Sequence, residues 1–251
     1  MKQKMIIRAD DLGYCEAVNY GIAQTVKEGL IRSVGLMPNM PYSAHGADLI
    51  RGHDVCLGQH TNICVGRPVS DPLKIPSITA ENGEFRSSRE YRSAETDFVV
   101  LEEVVTEIEA QYEKFKELTG QEPHYFEAHA VASENLSKGL AIVAERHNLP
   151  LLLFSATDPI CFRNSYLIPS MEDVLPDYDP YDAVKRHAMK EYADNEIPMF
   201  VTHPGFLDWY ILQKSSLTVN RTKETAMLCD PAMRSWLEEH DIELITFDDV
   251  K

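Results

Sequence analysis

Cysteine is scarce in this chain: 251 residues carry only five, Cys15, Cys56, Cys64, Cys161 and Cys229. They are odd in number, widely spread and never in a CxxC pair, which argues against a disulfide framework and against a thiolate zinc site. Long apolar runs are missing too. Nowhere do about 18 uncharged apolar residues follow one another, and the apolar stretch near Met1 is too short for a signal-peptide core. The expected setting is therefore the cytoplasm, with no membrane partner. Cations are the third shortage, with 24 Lys and Arg against 40 Asp and Glu and a formal net charge of -16. Nucleic-acid binding rests on cations that neutralise phosphates, so no nucleic-acid partner is expected.

What the chain does have is enough apolar material, 44% of residues, to build a full core. No repeat, low-complexity tract or linker divides it, and one α/β domain over residues 1–251 is expected. Short β-rich runs alternate with helical stretches, the pattern of parallel βαβ units. Strands are expected at Met5 to Ala9, Ser33 to Met37, Val55 to Gln59, His124 to Ala128, Leu151 to Phe154, Met199 to Thr202 and Ile242 to Phe247. Helices are expected at Glu16 to Leu30, Ala44 to Arg51, Leu101 to Leu118, Leu136 to Arg146, Thr222 to Leu228 and Pro231 to His240. The clearest is Leu101 to Leu118, where Leu101, Val104, Val105, Ile108, Tyr112, Phe115 and Leu118 share a face. Residues 66–93 and 156–180 read as long loops. About seven parallel strands suit a distorted or incomplete (β/α) barrel better than a complete eightfold one, and an open doubly wound sheet fits the same string.

In such folds the active site gathers at the C-terminal ends of strands. That rule selects few residues: Asp10 and Asp11 after Ile6-Ile7, His60 after Val55 to Gln59, His129 after Tyr125 to Ala128, and His203 after Phe200 to Thr202. Two His and a carboxylate are a recognised ligand set for a catalytic divalent ion. Each residue also has a plainer reading. The Asp pair is equally suited to capping the helix that starts near Glu16, His60 and His129 to hydrogen-bonded positions in the core, and His203 to the tight turn of Thr202-His203-Pro204-Gly205. Glu127 shares a strand face with His129 and is a candidate to orient a ligand. Cys64 and the other six histidines read as packing or surface residues.

The motifs Ile7-Arg8-Ala9-Asp10-Asp11-Leu12-Gly13, Val18-Asn19-Tyr20-Gly21-Ile22 and Gly29-Leu30-Ile31-Arg32-Ser33 resemble those of the YdjC-like carbohydrate deacetylases. So do Leu36-Met37-Pro38-Asn39, Gly58-Gln59-His60, Gly66-Arg67-Pro68-Val69, Glu127-Ala128-His129 and Thr202-His203-Pro204-Gly205-Phe206-Leu207-Asp208. The stretch Arg221 to Leu228 and the ending Thr246-Phe247-Asp248-Asp249-Val250 extend the resemblance over nearly the whole chain. It implies a distorted (β/α) barrel, hydrolysis of an N-acetyl group from an amino sugar or short oligosaccharide, and a homodimer. It assigns a divalent ion, magnesium or zinc, to Asp11, His60 and His129, and the role of general base to Asp10. His203 becomes the candidate acid, with Glu127, Asp208 and Arg67 as candidate supporting or substrate contacts. The chain departs from the family pattern in carrying Glu127 where an Asp is common, and Ala130 to Ser133 where further histidines follow. A metal-dependent phosphoesterase and a non-catalytic sugar-binding protein remain as rival readings.

Overall fold

The structure, a computed structural model, describes residues 2–153, 155, 158–175 and 177–251. The chain opens with β1 (Gln3–Leu12), longer than the expected Met5 to Ala9 because a bulge carries the strand on through both aspartates. Then follow α1 (Glu16–Lys27), β2 (Ser33–Leu36), α2 (Ser43–Ile50) and β3 (Cys56–Thr61). After the first long loop, which holds the single-turn-and-a-half helix α3 (Ser88–Ser93), come α4 (Leu101–Thr119), β4 (Phe126–Ala128) and α5 (Glu134–His147). The second half contains β5 (Ile160–Phe162), β6 (Ser165–Ser170), α6 (Pro180–Ala188), β7 (Glu196–Thr202), α7 (Trp209–Lys214), α8 (Val219–Cys229), α9 (Pro231–Glu239) and β8 (Ile242–Leu244).

Across the sheet the order is β4-β3-β2-β1-β7-β6-β5, and β8 pairs with the start of β1. Every pairing is parallel except the β5–β6 hairpin, so the sheet curls into an incomplete (β/α) barrel. Among the described residues seven strands run parallel, but their membership differs from the sequence expectation. Leu151 makes only an isolated bridge to Phe126, and Phe154 lies outside the described residues. In its place β6 joins the parallel set, from a segment that reads as loop because Pro159 and Pro169 fall in it. Pro169 is accommodated because β5 pairs with β6 only as far as Leu167, which leaves one edge of β6 unpaired at Pro169.

Pleating sorts the strands' side chains into two bodies. Outward residues such as Ile7, Ala9, Val34 and Leu36 pack with Val18 and Ile22 of α1, while Phe126 and Ala128 pack against Ile108 of α4 and Leu140 of α5. Inward residues Ile6, Leu152, Ile160, Leu167, Met199 and Phe247 fill the barrel. The loop at 66–93 is tied down by Glu107 of α4, which is buried and accepts the backbone N–H groups of Val69 and Ser70 at 3.0 and 2.9 Å.

Candidate metal and catalytic site

Alternation along β1 aims Ile6, Arg8 and Asp10 into the barrel and should send Asp11 out. The bulge prevents this: Ala9 lies opposite Val34 and Leu12 opposite Leu36, so three steps on β1 span two on β2. Asp11 absorbs the extra residue with a left-handed backbone, φ 76°, and both aspartates line the same cavity. Neither caps α1, whose N-cap residue Cys15 makes no side-chain cap. Loop closure after the bulge rests on Asn19, which accepts the Gly13 N–H at 2.6 Å and donates to the Tyr42 carbonyl.

Strand ends β3 and β4 bring His60 and His129 to the same place. The His60 Nε2 and His129 Nδ1 atoms are 3.0 Å apart, and Asp11 Oδ1 lies 3.5 Å from the first and 3.1 Å from the second. All three residues are buried, and Asp11 Oδ1 has no hydrogen-bond donor. Ligand atoms about 2.0–2.1 Å from a tetrahedral or octahedral ion stand about 3.0–3.4 Å apart, so the triangle has the dimensions of a divalent-cation site. Arg221 of α8 grips the other oxygen, Oδ2, at 2.6 Å and leaves Oδ1 facing the imidazoles. Glu127 Oε1 stands 3.1 Å from His60 Nδ1, behind the triangle. Glu127 thus stands beside His60 rather than His129, its neighbour in sequence, though neither Glu127 Oε1 nor His60 Nδ1 makes a hydrogen bond. Gly35 makes room for the cluster, since a Cβ there would lie 2.6 Å from Glu127 Oε1 and 3.2 Å from Asp10 Oδ1.

A second group of possible ligands, Asp10, His60 and Glu127, overlaps the first. It is a poorer place for a cation because Arg8 already occupies it. The Arg8 guanidinium donates Nε to Asp10 Oδ1 at 2.9 Å and pairs through Nη2 with both Asp10 Oδ2 and Glu127 Oε2. The Asp11 triangle also has a cation beside it, Arg221, but that guanidinium sits on Oδ2 and leaves Oδ1 without a hydrogen bond.

Opposed forces set the protonation of these groups. Burial pushes the Asp10 carboxyl up, but Arg8, His60 and His203 together hold it below the ordinary carboxylate range. Burial likewise opposes ionisation of Asp11, and Arg221 and His129 outweigh it. Burial pulls His60 and His129 down, yet Asp10 and Glu127 raise the first to about 10, and Asp11 raises the second to about 9. The site therefore attracts positive charge, which a divalent ion would satisfy in place of protons.

His203, just beyond β7, reaches the cavity from the other side. Its Nδ1 is 2.6 Å from Asp173 Oδ2, and its backbone N–H donates to Glu224 Oε2 at 2.7 Å. Burial lowers the imidazole, but the Asp173 contact dominates and raises it to about 9. Burial and the nearby Asp173 raise Glu224 to about 7, and Tyr178 donates its hydroxyl to it at 2.7 Å. The turn that carries His203 presses on α1 at Gly21, where a Cβ would meet Gly205 Cα at 2.4 Å. A close backbone approach accounts for glycine at both positions.

Asp10, Asp11, His60, Glu127, His129 and His203 all line one cavity of about 440 Å³. Asp208 and Arg67 do not. Asp208 caps α7 by accepting the Ile211 N–H at 2.9 Å, and exposed Arg67 donates to the Asn82 carbonyl at 3.1 Å. Asp173, not Asp208, is the partner of His203. Sequence reasoning did not identify Asp173, Arg221 or Glu224, which come from a loop and from α8. Arg8 was findable, because two residues before Asp10 on a strand is the same face.

A family model described as YdjC-like protein matches residues 4–239. The chain is 29% identical to carbohydrate deacetylase 2 of Listeria innocua serovar 6a over 98% of both chains, and 29% identical to the carbohydrate deacetylase of Geobacillus stearothermophilus, again over 98% of both. Among solved structures, a protein of Enterococcus faecalis V583 described provisionally as a cellobiose-phosphate cleavage protein superposes with a TM-score of 0.84 at 22% identity, over 99% of this chain and 98% of that one. A family 4 acetyl xylan esterase from Clostridium thermocellum, solved in complex with a cobalt ion, has a TM-score of 0.52 at 11% identity, over 99% of this chain and 90% of that one. At these identities the two structures speak for the fold alone.

Proposed function

The chain belongs to the YdjC-like family, and on that premise we propose that it is a divalent-metal-dependent hydrolase that removes an N-acetyl group from an amino sugar or short N-acetylglucosamine oligosaccharide. The observation that carries this reading is the unpartnered Asp11 Oδ1 facing His60 Nε2 and His129 Nδ1 beside the Arg8-held Asp10. The relatives named carbohydrate deacetylase supply the substrate class. Asp11, His60 and His129 would hold the ion, and magnesium or zinc suits their mixed oxygen and nitrogen donors. When bound, such an ion supplies Lewis acidity and lowers the pKa of water.

Asp10 is the base that takes a proton from the attacking water. Arg8 fixes its orientation and keeps it ionised at neutral pH. His203 is the acid. Its pKa of about 9 keeps it protonated at pH 7, and Asp173 engages Nδ1, leaving Nε2 to deliver a proton to the departing amine nitrogen. No nucleophilic serine or cysteine is needed. The two guanidinium groups beside the aspartates, Arg8 of β1 and Arg221 of α8, are already paired with carboxylates and are not free to hold a phosphate. Acetate release from N-acetylglucosamine, chitobiose and their 6-phosphates tests the proposal. Metal-loaded protein should release acetate, chelated protein should not, and Asp10→Asn should lose a factor of about 10²–10⁴. Silence on every sugar from metal-loaded protein would overturn the reading.

A further inference from the structure

We propose that α8 fixes the proton donor relative to the metal site, with Glu224 as the positioning residue that holds His203. The inference rests on the amide-hydrolase reading above, in which His203 is the acid, and concerns the same site.

Helical spacing is the first argument. Arg221 and Glu224 stand three residues apart on α8, so they project from adjacent turns of one face. Arg221 reaches the proposed metal ligand, donating Nη2 to Asp11 Oδ2 at 2.6 Å. Glu224 reaches the acid, accepting the His203 backbone N–H on Oε2 at 2.7 Å. The strand β7 ends at Thr202, whose pairing with Ala9 is the last on that side, so the His203 N–H lies beyond the β1–β7 ladder. The same helix also holds the acid's own partner. Asn220 donates to the Asp173 carbonyl at 2.6 Å, Lys223 donates to the Tyr178 carbonyl at 3.0 Å, and Tyr178 gives its hydroxyl to Glu224 Oε1 at 2.7 Å. Thr225, one turn on from Arg221, accepts the Gly205 N–H at 2.8 Å and secures the turn behind His203. One short stretch of helix, residues 220–225, thus contacts Asp11, the Asp173 segment and the His203 turn together.

Charge is the second argument. Glu224 is fully buried, and among the described residues no Lys or Arg forms an ion pair with it. Burying a carboxylate without such a partner is unfavourable, and packing alone would be served as well by an uncharged side chain of the same shape. Glutamine has that shape but only one acceptor oxygen, because its other terminal atom is an NH₂ group. It can accept from His203 or from Tyr178 but not on separate oxygens from both, as the carboxylate does. The carboxylate also faces the imidazole. Asp173 on its loop, Glu224 on α8, and Asp10 and Asp11 on β1 are the acidic groups around His203, and each favours its protonated form. Arg221, donating to the His203 carbonyl at 3.4 Å, is the cation that opposes them. Glu224 therefore serves the acid twice, by holding its backbone and by adding a negative charge beside its ring.

The test compares metal-loaded native protein with Glu224→Gln on N-acetylglucosamine or chitobiose, whichever the native protein cleaves faster, and on 4-nitrophenyl acetate, whose phenolate departs without needing a proton. On the sugar, kcat should fall on the order of 10–10²-fold, the scale of a misplaced catalytic group, with KM changed less than about twofold. The ester rate should change less than about twofold, because the acid is not needed there. The basic limb of the sugar pH profile should move to lower pH, and the denaturation midpoint should not drop. Sugar and ester rates falling together, or an unchanged kcat on the sugar, would overturn the positioning role while leaving the hydrolase reading intact. Tyr178→Phe serves if Glu224→Gln does not fold: it frees one carboxylate oxygen, and the sugar-to-ester rate ratio should fall severalfold, whereas an unchanged ratio would overturn the proposal. Failure of the native protein to release acetate from either sugar would overturn both.

Discussion

On β1, β3 and β4 the inward residues near the active end are Arg8, Asp10, His60 and Glu127; on β5 and β7 they are Ile160, Met199 and Val201. The same pleat places both sets, so the difference lies in side-chain chemistry and not in backbone architecture. The charged half survives burial because its members neutralise one another in pairs: Arg8 with Asp10 and Glu127, Arg221 with Asp11. Across from it, the aliphatic half keeps the local dielectric low, which strengthens every one of those interactions. One half supplies reactive charge, and the other supplies the medium in which that charge is effective.

The contrast breaks most severely at Arg8. Replacing it with Met leaves Asp10 and Glu127 buried without their cation, and chemical denaturation should show a loss of about 3–5 kcal/mol, the usual result of removing one partner from a buried ion pair. A loss below about 1 kcal/mol would mean that the two carboxylates are not held by this pairing.

A smaller effect is expected at His203. Its pKa in the fold, about 9, is raised above the ordinary 6.5, so the protonated acid is present at neutral pH and is lost as pH rises through about 9. Activity should fall on that basic limb. The stability contributed by its protonation is full below about 6.5 and disappears through the same rise. Asp173→Asn removes the dominant contact and should move the limb downward, towards the ordinary value. A pH profile with an unmoved limb would take the acid role away from His203.

The smallest effect belongs to the aliphatic half. Val201→Ala removes two buried methyl-sized groups and should cost about 1–2 kcal/mol in the same denaturation experiment, with the metal content of the purified protein unchanged. A variant that lost its metal would show that the two halves are coupled through more than the medium.

The charged half was the legible one in the sequence. Asp and His placed after apolar runs stand out because strand formation gives no reason for them, and Asp10, Asp11, His60, His129 and His203 indeed line one cavity. Their partners were harder to find because they arrive from distant, irregular parts of the chain. Asp173 lies in a segment that reads as loop, and Arg221 lies on α8, 210 residues from the aspartate it grips. The aliphatic half could not be told apart from ordinary core, since Met199 and Val201 carry no sign of whether they face protein or empty space. Missed elements have similar causes. The β5–β6 hairpin is short, and α6 begins with an Asp179-Pro180 capping signal that the surrounding acids and prolines obscured.

The bulge at Asp11 was not legible either, and the whole account depends on it. Without it, alternation would send Asp11 to the outer face of the sheet, and the ligand set would fall back on Asp10, His60 and Glu127. Anomalous diffraction from crystals of the zinc- or manganese-loaded protein distinguishes these arrangements most directly. We expect one peak among Asp11 Oδ1, His60 Nε2 and His129 Nδ1. A peak among Asp10, His60 and Glu127, or no peak in the barrel at all, would contradict the account.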